Sequence, residues 1–266
     1  MMRHKLFVMI GVLAASGAAQ AQSWQEEKGD HFFLKFPPGL SAPWAEDVLR
    51  FADGYYDSIA RTIDYARFNN YWSWDDRVEI VVYPDRDSFL KGTGQPDWSQ
   101  GGAIHRSGAY VQRRIVTFYQ EENFIDGLLP HEISHLMLLD FIGADRSIPI
   151  WFNEGVAQLH EKGKIERSDE LMRVLAGRGQ FIPLDELMRL DIRQETQELR
   201  VGIFYAQSVS IVNFMITRFG SRRFGVLCRS MREGKGFEES LRSAYPANIS
   251  TLSELEKNWL SYMKRP

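Results

Sequence analysis

The chain has 266 residues, 44% of them hydrophobic and 25% charged, which is enough to bury a sizeable core and too apolar for wholesale disorder. A formal net charge of −3 with no basic block excludes the electrostatic footprint of a nucleic-acid binder, so no nucleic-acid partner is expected. The single cysteine, Cys228 in "RFGVLCRSM", excludes an intrachain disulfide and reads as an apolar packing residue rather than a nucleophile.

The N-terminus has the three parts of an export signal. "MMRHK" is a basic n-region, "LFVMIGVLAASGAA" an apolar h-region, and Ala19-Gln20-Ala21 a small-x-small cleavage site. Residues 1–21 are therefore expected to be a cleaved signal peptide, and the mature chain a periplasmic or secreted protein starting near Gln22. Its 30 basic against 35 acidic residues give a net charge of −5. No later apolar run reaches the roughly 18 residues of a membrane span, so no stable span is expected after signal removal. No long pro-segment separates Gln22 from the first strand, and activation by propeptide removal is not expected.

Further along, "HFFLKFP" (31–37) predicts a strand. Residues 42–66 predict an amphipathic helix, with Trp44, Val48, Phe51, Tyr55 and Ile59 at helical spacing. "RVEIVVYP" (77–84) is a β-branched strand, 85–102 a loop rich in Gly, Pro and Asp, and "GAYVQRRIVTFYQ" (108–120) an alternating strand. From about Asp126 the pattern turns helical, with helices expected at 127–142, 149–162, 168–177, 184–189, 201–219, 222–233, 237–244 and 251–264. The fold class is α+β: a single domain, 22–266, with a mixed sublobe over about 30–145 and an all-helical one over about 146–266. A cleft between them is a natural place for a site.

One helix carries unusual polarity. "LLPHEISHLMLL" (128–139) places His131 and His135 four residues apart in an apolar run, with Glu132 after the first. Positions i and i+4 share a helix face, so both imidazoles can reach one ion. Two such histidines buried without partners would carry a desolvation cost. His-Glu-x-x-His is the spacing of zinc peptidases, with the glutamate as general base. Pro130 is tolerated if the helix begins near Asp126, in the first turn. After eighteen intervening residues comes Glu154, in "IPIWFNEGVAQLHE". Two histidines and a carboxylate are three protein ligands, which leaves a fourth position open for water, as catalytic zinc requires.

His-Glu-x-x-His-x18-Glu, with the third ligand inside Trp-Phe-Asn-Glu-Gly-Val-Ala, resembles the gluzincin metallopeptidases. Locally it is similar to the membrane alanyl aminopeptidase group. Over the mature chain it resembles the bacterial peptidase MA-like proteins, through "IPLDEL" (182–187) and "YAQSVSIVNFM" (205–215) as well as the zinc motif. The resemblance implies a zincin-like fold and one zinc ion per chain, held by His131, His135 and Glu154. Glu132 would act as base, and a tyrosine of the helical half, with Tyr205 as candidate ahead of Tyr110, Tyr119 and Tyr245, would stabilise the oxyanion.

Ligating histidines donate their other N–H to a carboxylate or carbonyl. On a continuous helix Gln158 and Glu161 would share the face of Glu154, and Glu161 fits that partner role; Asn153 is the other candidate. The thermolysin-like pattern would place an aspartate at position 158. "AYVQRRIVTFY" (109–119) is the candidate edge strand for aligning a peptide substrate, with Tyr110 and Val111 as binding residues. The amine-capturing Gly-x-Met-x-Asn segment of the aminopeptidases is replaced by "GGAIHRSGAY", which favours an endopeptidase. His105 in that stretch reads as a solvated loop residue. A low-turnover envelope binding or chaperone-like protein with the same fold, and a zinc amidase acting on a non-protein substrate, remain alternatives.

Overall fold

The computed structural model describes residues 24–65, 72, 76–106, 112–120, 123–245 and 249–264. The expected signal peptide and the candidate binding residues Tyr110 and Val111 lie outside them. Two strands open the fold, β1 (Gln25–Lys28) and β2 (Phe32–Phe36), followed by helix α1 (Ala42–Thr62). Then come β3 (Val78–Tyr83), α2 (Arg86–Thr93), β4 (Gly101–Arg106) and β5 (Gln112–Phe118). Every described element after β5 is helical, as an α+β chain with its strands in front requires.

The five strands form one sheet in the order β1-β2-β3-β5-β4. β2, β3 and β5 run parallel, while β1 and β4 are antiparallel additions at the two edges. This corrects the expectation for 109–119: β5 is paired on both sides, and the strand exposed at the edge is β4. The hydrophobic alternation of β5 reports that its faces are covered and says nothing about its edges.

Phe32, Leu34 and Phe36 of β2, with Val78, Ile80 and Val82 of β3, are buried in the main core against α1. On the opposite face Val81 and Val116 close a small cluster with Phe89 of α2. Helix α2 falls where a loop was expected. Asp85 caps it by accepting from the Ser88 N–H, and Gly94 ends it at φ 68°; eight residues between two such signals suffice for two turns. β1, with only polar residues, carries no strand signal in its sequence.

Helix α1 is capped by Ser41, which accepts from the Trp44 N–H. Its buried stripe, Ala45, Val48, Leu49, Ala52, Tyr56 and Ile59, is rotated from the one expected. Trp44, Phe51 and Tyr55 flank it, packed on the core but only partly buried. It ends at Thr62, ahead of Asp64 in the left-handed region at φ 60°.

The helical half begins with a five-residue π turn, Phe124–Leu128, that runs directly into α3 (Leu129–Ile142). Pro130 lies in the first turn of α3, where a missing N–H costs nothing. Next are α4 (Ile150–Ala157), α5 (Lys164–Gly177), α6 (Leu184–Leu187), α7 (Glu198–Phe219), α8 (Ser221–Arg232), α9 (Phe237–Ala244) and α10 (Leu252–Met263). Helix α7 is long and apolar enough to cross a membrane by length and composition. It packs against α4, α5, α8 and α10, with Phe204, Val209, Ile211, Val212 and Met215 buried. The main core is continuous from β2 to α10, across the boundary expected between two sublobes. Cys228 is fully buried, and burial pushes its thiol up beyond the range of a useful nucleophile.

Candidate metal centre

α3 is buried nearly all round. Only positions 131, 135, 139 and 140 are partly open, and the first three follow one another at helical spacing. Both histidines therefore stand on the one face of α3 that can meet anything outside it. α4 packs against both α3 and α7, and Gly155 lets it approach α7 closely: a methyl there would stand 2.5 Å from the Ser208 carbonyl oxygen and 2.7 Å from Val212. The backbones of α4 and α7 are in contact, and Glu154 is carried to the histidines.

The donors converge. His131 Nε2 and His135 Nε2 are 3.0 Å apart, and each lies 3.8 Å from an oxygen of Glu154. All three residues offer a ligand atom within 4.8 Å of the others. The outer nitrogens are already engaged: His131 Nδ1 donates to Glu161 Oε1 at 2.7 Å, and His135 Nδ1 donates to Asn153 Oδ1 at 3.1 Å. In the neutral tautomers that carry the proton on Nδ1, the facing Nε2 atoms present lone pairs to each other and to a carboxylate. A proton or a metal cation at that spot relieves the repulsion among them. Burial opposes a charge on His131, yet the Glu161 hydrogen bond and the carboxylates of Glu132, Glu154 and Glu161 outweigh it and raise its pKa. That negative field would favour any cation at this point.

Glu161 reaches His131 by a route the sequence did not indicate. The helix expected over 149–162 ends at Ala157, a single 3-10 turn covers Gln158–His160, and Glu161 is extended at ψ 129°. Glu161 thus leaves the helix and turns back over α3. Gln158 is buried inside that turn, donating to the Glu154 carbonyl at 3.0 Å. Glu132 is 7% exposed and opens onto a cleft of about 240 Å3 lined by Trp98, Gln100, Asn123, Gly127, His131 and Glu161 among others. Sequence reading missed Trp98, Gln100, Asn123 and Gly127; the signal available was Asn123 four residues before a glycine.

Tyr205 of α7 is half-buried. Burial and then the nearby charge of Glu154 raise its pKa. His105 is not a solvated loop residue. It lies in β4, with Nε2 3.1 Å from Asp140 Oδ1 near the far end of α3. Arg113 of β5 and Trp72 complete that cluster, both on Asp140 Oδ2.

The model of the peptidase MA superfamily matches residues 93–264, well over half of the chain. The chain belongs to the peptidase MA superfamily. No curated protein matches it. Membership of the superfamily supports a peptidase, and the matched region contains β4, the π turn, the His131-His135-Glu154 donor set and all of the helical half. That donor set could hold a metal ion.

Proposed function

We propose that this peptidase MA protein is an exported zinc-dependent endopeptidase. The observation that carries the reading is the convergence of the Nε2 atoms of His131 and His135 and the Glu154 carboxylate on one point, with each Nδ1 held from behind. Donors about 2.0–2.1 Å from a tetrahedral zinc ion stand roughly 3.3 Å apart, and separations of 3.0 and 3.8 Å bracket that value. His131, His135 and Glu154 would hold the ion. Three protein ligands of this kind fit a catalytic rather than a structural site.

Zinc in this position supplies a Lewis acid for the substrate carbonyl and lowers the pKa of water toward about 7. Glu132, enclosed beside His131 on the cleft, takes the proton of the attacking water and passes it to the departing amine. The phenol of Tyr205, which is protonated at neutral pH, donates to the developing oxyanion. Glu161 and Asn153 fix both imidazole tautomers. Among the described residues β4 pairs only with β5, and a polypeptide substrate would be aligned by adding a strand to its other edge. The basic and apolar segments at the N-terminus support export to the periplasm or beyond.

Metal analysis and hydrolysis of a quenched peptide library, with mature protein and Glu132→Ala, test the proposal. About one zinc per chain in both, with kcat/KM reduced 100- to 10,000-fold by the substitution, is the expected result. Absence of zinc overturns the ligand assignment, and zinc-loaded wild type that cleaves nothing overturns the peptidase reading.

A further inference from the structure

Resting on that reading, we infer that Trp98 selects substrates with a large apolar or aromatic side chain directly C-terminal to the scissile bond. At 79% exposure Trp98 is the most open large hydrophobic among the described residues, and it stacks on no other ring among them. An indole left in water is a large apolar surface without a partner. Its position is nevertheless fixed. Ser99 beside it is buried, its N–H donating to the Pro96 carbonyl and its hydroxyl to the Gly101 carbonyl, both at 2.8 Å. The Gln100 carbonyl accepts from the buried Thr117 hydroxyl at 2.7 Å. A rigid backbone thus presents a free aromatic ring to the cleft that His131 and Glu132 also line.

The direction follows from how α3 and β4 lie side by side. Leu128, just before α3, touches Gly101 at the start of β4, whereas Asp140 near the end of α3 meets His105 near the end of β4. The two elements run the same way, so His131 and His135 stand opposite the first half of the strand. A peptide adding to that other edge of β4 in the more stable antiparallel sense has its C-terminal part extending past Gly101. That part arrives at Trp98, in the cleft that Asn123 and Gly127 also line.

The test uses two hydroxamate dipeptide mimics that chelate zinc and differ only in carrying a benzyl or a methyl group on the leaving-group side. Calorimetry on zinc-loaded mature protein should show the benzyl compound binding about tenfold tighter, the factor one well-placed aromatic contact supplies. Trp98→Phe should keep that ratio. Trp98→Ala should bring it close to one with little change in the affinity for the methyl compound, and hydrolysis should lose the matching preference through KM. An unchanged ratio in Trp98→Ala overturns the inference, as does a benzyl preference that depends on Trp98 only when the group is moved to the acyl side. Protein that takes up no zinc when it is supplied, and therefore binds neither mimic, overturns the metallopeptidase reading instead, and metal analysis separates that failure from the others.

Discussion

The two ends of α3 are built from the same materials and do opposite things. Near its C-terminal end the Asp140 carboxylate receives Arg113, the Trp72 indole N–H and the His105 imidazole. The Arg113 and Asp140 charges offset each other, the indole and imidazole bind the same carboxylate, and the Asp140 side chain is only 5% exposed. Near its N-terminal end two imidazoles turn lone pairs toward each other and toward Glu154, with Glu132 and Glu161 adding negative charge. Ligand atoms converge there in a negative field, and the set could hold a cation. A histidine beside a carboxylate is therefore not informative by itself; the balance of donors and acceptors distinguishes a structural cluster from a binding centre.

The largest effect should come from breaking the open end. His135→Ala is expected to abolish zinc retention and hydrolysis while shifting the stability of the metal-free protein by no more than about 1 kcal/mol; metal analysis and urea titration of the same sample measure both. Breaking the closed end reverses the pattern. Asp140→Ala leaves the Arg113 charge buried without its partner and should cost about 3–5 kcal/mol in urea unfolding. Where that variant stays folded, zinc should still bind.

The third effect concerns the 3-10 turn that follows α4. Burial pushes the His160 pKa down to about 4 from its ordinary 6.5. The unfolded chain binds this proton more readily, so the contribution of His160 to stability is fully present above pH 6.5 and is lost as pH falls toward 4. The loss amounts to about 2–3 kcal/mol. Urea midpoints at pH 7 and pH 4.5 should converge by that amount in His160→Gln; an unchanged acid sensitivity would show that other groups cause it. The smallest effect sharpens the comparison within the open end. Glu161→Ala should keep all three ligands and weaken zinc binding 10- to 100-fold, measured by competition with a chelator.

Legibility varied with the physics of each feature. His131, His135 and Glu154 could be read because a helix converts sequence spacing into a shared face, and because the interval to Glu154 matched a known pattern. Glu161 was selected on the assumption of a continuous helix, which the 3-10 turn at Gln158–His160 breaks; the residue meets His131 through a bend that no periodicity encodes. The edge of the sheet was illegible for a related reason. Side-chain alternation describes the two faces of a strand, whereas "GGAIHR" lies at an edge through its hydrogen-bond partners. Helix α2 had both of its caps in the sequence, Asp85 and Gly94, but its interior lacked an apolar stripe to join them. Trp98 gave no signal because one exposed aromatic follows no pattern.

Gly155 has a consequence that reaches beyond packing. The hydrogen in place of its side chain acts as a gauge block between α4 and α7, and it sets the distance from Glu154 to the helix that carries Tyr205. Any attempt to graft this centre onto another helical scaffold must copy the gauge along with the ligands, because a scaffold with alanine there would hold every ligating side chain and still set the two helices too far apart.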